Sequence, residues 1–302
     1  MKIKQFQVDA FTGRVFGGNP AAVCPLQSWP EDNLLQSIAE ENNLSETAFF
    51  VPSENNFELR WFTPVKEVEL CGHATLAAAH VIFEHIGYHS DCIAFKTKGG
   101  NLTVRKNGNM LEMDFPLYMP KLSVMPDYLT EGLGKTPVTV LEAQDYIAVY
   151  DSEETVRSII PDQTLLNRLG LRGVSVTAPG DNADFVSRFF APKLGVQEDP
   201  VCGSSHCELA PYWADRLNKN ILKAVQVSKR GGEILCKVEK EKGRVLISGR
   251  AVTFMEEGDL FAAVTAVYFP FSVLNPIFRT CFSGGVINSL KGFSTEINLC
   301  PQ

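Results

Sequence analysis

The segment Arg60-Trp61-Phe62-Thr63-Pro64, followed after six residues by Cys71-Gly72-His73, is nearly repeated further along the chain. The second copy is Arg188-Phe189-Phe190-Ala191-Pro192, followed after nine residues by Cys202-Gly203-Ser204. Each copy runs into a helix-like stretch, residues 74–83 in one case and 204–217 in the other. A strand, a proline turn and a Cys-Gly helix start, occurring twice, predict two halves built alike with an active site where they meet. Internal repetition of this kind marks a pseudo-dimer rather than a solenoid, which needs more copies.

The chain of 302 residues is long enough for two domains, each with its own core. A hydrophobic share of 45% beside a charged share of 21% is that of an ordinary globular protein. The formal net charge of −7 lacks the basic face that a nucleic-acid binder needs, so no nucleic-acid partner is expected. The N-terminal residues alternate polar and apolar like a strand and lack a signal-peptide core. The apolar run from Phe261 to Leu274 is shorter than the roughly 20 residues of a membrane span and contains Pro270. Eight cysteines without C-x-x-C spacing suit a reduced, cytoplasmic protein that has no membrane partner. Two copies could also pair as a homodimer.

Strands are predicted at 3–11, 21–26, 48–51, 57–63, 92–97, 101–106 and 110–115. Ser28 with Glu31 reads as a capping box opening a helix whose apolar stripe is Leu34, Leu35, Ile38 and Ala39. Residues 74–86 are apolar almost all round, which predicts a helix buried inside its domain. The stretch 116–140 has no clear period and reads as the crossing between halves. Beyond it come strands near 145–150, 173–178, 184–191, 223–229, 233–239, 243–249 and 252–254, a short helix near 162–170 and a second buried helix at 204–217. The pattern is α+β and pseudo-symmetric, with halves 1–117 and 118–262 and a tail, 263–302, of unassigned role.

Both Cys-Gly steps fall at predicted helix N-termini. Four backbone N–H groups are unpaired at such an end and the helix dipole adds positive potential, so a small carboxylate can bind there. Gly72 and Gly203 would let that ligand approach the backbone, between Cys71 and Cys202. His73 lies beside the first step, where proton handling or substrate binding is favoured over a plain core histidine. Asp199 is close enough to the second step to orient His73 across the cleft, or simply to suit the helix dipole. Glu46 enters an apolar strand, where partial burial would raise its pKa towards a range useful in acid–base chemistry, but sequence physics alone favours a loop glutamate in solvent. A thiol at a helix N-terminus is expected to have a lowered pKa. A zinc set of Cys71, His73, Cys202 and His206 has suitable ligand types, but the spacings look like helix caps and no metal is expected. No G-x-G-x-x-G pattern is present, so no nicotinamide or flavin cofactor is implied.

With these residues in view, the chain resembles the PhzF-like family of phenazine biosynthesis, within the diaminopimelate-epimerase-like fold. The matching stretches are Asp9-Ala10-Phe11-Thr12, Gly18 to Val23, Asn43 to Phe49, Leu59 to Pro64 and Leu70 to Ala77. They continue with Asp184 to Pro192, Glu198 to His206 and Gln226 to Gly232. The resemblance spans residues 1 to about 262 and leaves the tail out. It implies two pseudo-symmetric domains, each a curled, mostly antiparallel sheet around a central buried helix. It also implies that Glu46 shuttles a proton in an isomerisation, that His73, Asp199 and Ser204 support substrate and proton transfer, and that Asn19 lines the cleft. Many members of the family lack a thiol at one or both Cys-Gly positions, whereas this chain has both. The related epimerases use two facing cysteines, which keeps a two-thiol amino-acid racemase or epimerase open as the alternative. A binding module for a small anion or a protein, without turnover, is the other class of reading.

Overall fold

Proline and glycine punctuation and two-residue alternation place most of the strands, but not the short ones at Glu67–Val68, Lys121–Leu122, Thr139–Glu142 and Val196–Asp199. The computed structural model describes residues 2–54 and 56–261, so the tail 263–302 lies outside the described residues. In chain order the elements are β1 (Lys2–Ala10), β2 (Asn19–Pro25), α1 (Asp32–Asn42), β3 (Glu46–Ser53), β4 (Asn56–Phe62), β5 (Glu67–Val68) and α2 (Gly72–Val81). Next are β6 (Cys92–Thr97), β7 (Gly100–Asn107), β8 (Met110–Pro116), β9 (Lys121–Leu122), α3 (Leu129–Leu133), β10 (Thr139–Glu142) and β11 (Tyr146–Val149). They are followed by α4 (Glu153–Ser158), α5 (Gln163–Leu166), β12 (Val174–Pro179), β13 (Phe185–Ala191), β14 (Val196–Asp199) and α6 (Gly203–Leu217). The last four are β15 (Ile221–Gln226), β16 (Gly232–Glu239), β17 (Arg244–Gly249) and β18 (Ala251–Phe261). The fold is α+β, with a large curled sheet and few helices.

The repeated motif occupies equivalent strands. β2 runs parallel to β3, β3 antiparallel to β4, and β4 turns through β5 into α2. In the same way β11 runs parallel to β12, β12 antiparallel to β13, and β13 turns through β14 into α6. Thr47 faces Phe62 and Val174 faces Phe190. Since Phe62 and Phe190 hold the same place in the motif, Thr47 corresponds to Val174 and Glu46 to Gly173. The motif arginines also repeat their contacts. Arg60 grips Glu67 through Nε and Nη2 at 2.7 and 2.9 Å, and Arg188 grips Glu198 at 2.7 and 3.0 Å.

The halves are joined along strands. β8 pairs antiparallel with β17 from Leu111↔Gly249 to Pro116↔Arg244. β18 then crosses back to pair along β1, from Ala10↔Ala251 to Lys2↔Phe261, so residues 251–261 sit in the sheet of the first half. The described residues pack as one unit.

Both predicted buried helices form, each starting at its glycine. In α2 every residue from His73 to Ala79 is buried, as an all-round apolar sequence requires. It continues into one wider turn, Ile82–Ile86, and stops at Gly87, whose φ of 75° is costly for residues with a Cβ. α6 contains Pro211, which has no N–H to give the carbonyl of Cys207 four residues back. The N–H of Tyr118 donates to that carbonyl instead, at 3.0 Å, so the proline leaves no unpaired group.

One capping expectation fails. α1 begins at Asp32 with Glu31 as its N-cap and no side-chain capping bond, so Ser28 and Glu31 do not form a capping box. Ser28 lies two residues before Pro30, and a proline holds its predecessor extended, which keeps the helix from starting there. Among the described residues no helix is long and apolar enough to cross a membrane.

Candidate active site

The two helix starts abut. A Cβ placed on Gly72 would lie 3.9 Å from the Cα of Gly203, and one placed on Gly203 would lie 4.0 Å from the Cα of Gly72. The rings of Phe115 and Phe11 close the sides, 3.7 and 3.8 Å from the same two points. Cys71 and Cys202 are the N-caps, with extended backbones and no side-chain capping bond. The unpaired amides of both first turns and the positive ends of both dipoles therefore converge on one place.

Glu46 opens β3 beside the first start. Burial foremost, then the charge of Asp199, raises its pKa from 4.5 to about 7, while a hydrogen bond from the Cys71 thiol pulls it partly back. Its Oε2 lies 3.2 Å from Nε2 of His73. The angle there does not make a hydrogen bond, and Nε2 is buried without a partner. Burial holds the His73 imidazole neutral, with a pKa lowered to about 3. Its other nitrogen, Nδ1, is 3.5 Å from the Cys71 sulfur.

Asp199 arrives on β14 from the other half. Nδ2 of Asn19 donates to Asp199 Oδ1 at 2.7 Å and to the carbonyl of Val201 at 3.0 Å, which ties the halves together. Burial raises the pKa of Asp199 from 3.8 to about 6, against hydrogen bonds from Cys202, Val201 and Asn19. Asn19 itself is fully buried and its Oδ1 has no partner. The Ser204 hydroxyl is 3.3 Å from the Cys202 sulfur.

Three expectations need correction. Asp199 does not orient His73: its partners are Asn19, Cys202 and Val201, and Glu46 is the carboxylate beside the imidazole. The thiols are not acidic. Burial first, and then the carboxylates Glu46 and Asp199, push both Cys71 and Cys202 well above the ordinary thiol range, outweighing the helix dipoles. His206 points away from any zinc set, because Nδ1 sits 2.7 Å from the carbonyl of Cys202 and Nε2 faces Ser187 of β13. Among the described residues the group with metal-ligand spacing is Glu46, Cys71 and His73, whose ligand atoms lie within 4.8 Å of one another.

Several supporting residues carried no sequence-derived role. Gln226 accepts from the N–H of Cys202 at 2.9 Å and donates to the carbonyl of Asp199 at 2.6 Å, which sets the approach to α6. Arg230 donates to Asp9 at 2.7 Å and to the carbonyls of Gly17 and Gly18, both at 2.8 Å. This clamps the turn that delivers Asn19, and Gly18 completes it with a φ of 59°. Gln226, Arg230 and Asp9 all lie in quoted motifs, but only the fold reveals what they hold. Arg172, half-buried, forms a further cluster at Ser204 with the buried Asp145 and Glu208. Two surface depressions, one around Glu233 and Arg250 and one around Tyr212 and Arg216, contain none of Glu46, Cys71, His73, Asp199, Cys202 and Ser204, although Phe11 lines the first.

Residues 8–257 match the family model described as phenazine biosynthesis-like protein. The chain belongs to the phenazine biosynthesis-like, or PhzF, family. It is 51% identical over 255 residues to an uncharacterized isomerase of Pseudomonas aeruginosa, covering 84% of this chain and 98% of that one. A phenazine biosynthesis-like domain-containing protein of Homo sapiens is 38% identical, covering 85% of this chain and 98% of the relative. The crystal structure of a PhzF-family protein from Enterococcus faecalis superposes with a TM-score of 0.84 at 45% identity, covering 86% of this chain and all of that one. A probable proline racemase from Agrobacterium radiobacter, 11% identical with a TM-score of 0.59, shares the fold alone.

Proposed function

We propose that this PhzF-family chain is a cofactor-independent isomerase that moves a proton on a small, carboxylate-bearing substrate, with Glu46 as the acid–base group. The observation that carries this reading is the environment of Glu46. Its pKa of about 7 lets it both take and return a proton at neutral pH, and it stands beside the abutting helix starts. A substrate carboxylate held by the first-turn amides of α2 and α6 would put neighbouring carbon atoms within reach of that carboxyl. Neutral His73, with a free Nε2, is suited to donate or accept a hydrogen bond as charge develops on the substrate. Asp199 and Asn19 hold the second half in place, and Ser204 lines that side. The uncharacterized isomerases among the relatives agree with this class of reaction.

A two-thiol racemase is the second reading, favoured by the presence of a cysteine at each abutting helix start. Against it, each thiol donates a hydrogen bond to a carboxylate, Cys71 to Glu46 and Cys202 to Asp199, and neither is readily ionised. The test is incubation with candidate amino, hydroxy and unsaturated acids in deuterated water. Deuterium uptake at carbon by the wild type that is lost in Glu46→Gln supports the isomerase. Uptake retained in Glu46→Gln but lost in the double cysteine-to-serine variant supports the racemase.

A further inference from the structure

We propose that Arg172 reads a second acidic group on the substrate, so that this site takes a diacid whose first carboxylate lies at the abutting helix starts. The inference rests on the reading above that a carboxylate binds between α2 and α6.

The placement follows from the strand register. Glu46 corresponds to Gly173, because Thr47 and Val174 face equivalent phenylalanines. At Gly173 a side chain would collide with the Phe189 ring and the carbonyl of Phe190, both 2.8 Å from its Cβ. The second half therefore has no side chain at the position that corresponds to Glu46, and the residue preceding that position is Arg172. The Nη2 of Arg172 donates to the Ser204 hydroxyl at 3.2 Å, in the first turn of α6. That hydroxyl touches the Cys202 sulfur, whose thiol hydrogen-bonds Asp199. Arg172 thus belongs to the cleft wall, not to a remote surface.

Asp145 and Ser204 brace two of the three nitrogens of the Arg172 guanidinium. Nε and Nη2 grip the two oxygens of Asp145 at 2.9 and 2.8 Å, and Asp145 is completely buried. Glu208, on the second turn of α6, receives the backbone N–H of Gln144 at 3.1 Å and fixes the turn that carries Asp145. Nη1 has no partner among the described residues, and the side chain keeps 35% of its surface open. Asp145 and Ser204 take both N–H groups of Nη2, so Nη1 is the nitrogen left to give a charged hydrogen bond to a carboxylate oxygen.

The charge balance permits it. Burial foremost, and then the neighbouring Asp145, push the Glu208 carboxyl well above the usual carboxylate range, which favours its neutral form and limits the negative charge beside Arg172. Two ionised carboxylates there would repel an anion.

Succinate and butyrate, which share a four-carbon chain and differ in one carboxylate, are the probes, and calorimetric titration of the full chain near neutral pH is the measurement. Wild type is expected to bind succinate about tenfold or more tighter than butyrate, the effect of a charged hydrogen-bonded contact. Arg172→Gln should bring the two affinities together while leaving that for butyrate unchanged. Arg172→Lys keeps a cation for Asp145 but has no counterpart of Nη1, and should lose the preference as well. If circular dichroism shows that Arg172→Gln does not fold, Arg172→Lys decides alone. A preference that survives in a folded variant overturns the proposal, as does equal affinity of the wild type for the two acids, including no measurable affinity for either. Both acids are probed for binding alone, so the result is independent of whether Glu46 carries a proton, and Glu46→Gln should keep the succinate preference.

Discussion

Oε2 of Glu46 and Nε2 of His73 lie 3.2 Å apart, yet the imidazole nitrogen has no hydrogen-bond partner. With the Glu46 carboxyl raised to about 7 and the His73 imidazole lowered to about 3, a proton shared by this pair rests on Glu46 in the free protein. Apo sites commonly leave such contacts loosely aligned until the ligand arrives.

Glu46→Gln should reduce deuterium incorporation by ~10²–10⁴-fold, the usual contribution of a positioned acid–base group. The same substitution should stabilise the free protein at alkaline pH. The folded pKa of Glu46 is raised, so its contribution to stability is full below about 4.5 and lost as pH rises through about 7. Removing the buried carboxylate should therefore raise stability at pH 8 by on the order of 1–3 kcal/mol and leave it nearly unchanged at pH 4. Urea titrations of both proteins at the two pH values check the sign.

Cys71→Ser and Cys202→Ser should each retain most activity, because a serine hydroxyl can still donate to Glu46 or Asp199. The double variant is the sharper measurement. If its turnover falls to background while Glu46 is intact, the thiols rather than the carboxyl carry the proton.

His73 should stay neutral from pH 8 down to pH 5 in the folded protein, since burial lowers its pKa to about 3. Its ring resonances in nitrogen-edited NMR should be flat across that interval. For a histidine with a depressed folded pKa, stability is present above the unfolded value of about 6.5 and declines as pH falls towards the folded value. His73→Gln should flatten part of that acid-side loss in a urea series.

Arg188→Lys should cost about 2–3 kcal/mol, more than Arg60→Lys, as measured by chemical denaturation. Both arginines grip a glutamate with two nitrogens, but Nη1 of Arg188 also donates to the carbonyls of Ile159 and Val156, at 2.7 and 3.1 Å, inside the second half. Lysine cannot serve both the glutamate and those carbonyls. Nη1 of Arg60 instead meets Asp32, which is 70% exposed and replaceable by water.

Local chemistry made much of this protein legible. The repeated Arg-x-Phe-x-Pro and Cys-Gly steps located both buried helices and the two strands that lead into them, because turn residues and apolar periodicity act over only a few positions. Glu46 could be flagged as an acid entering an apolar strand, and the family resemblance supplied its role. The Glu67 and Glu198 partners were present too, each four residues before its cysteine, yet nothing short of the folded strands shows that they close on Arg60 and Arg188.

The sequence by itself determined the elements, their duplication and the family, since these depend on patterns within a segment and on motifs in order. Only the tertiary structure decided the chemistry of the site. Whether a thiol at a helix N-terminus is acidic depends on a contest between the dipole and burial, and burial with Glu46 and Asp199 nearby wins for Cys71 and Cys202. Whether Asp199 or Glu46 lies beside His73, and whether Arg172 reaches Ser204, depends on contacts between residues distant in the chain. Such contacts arise only when the β8–β17 pairing and the return of β18 to β1 bring the two helix starts together.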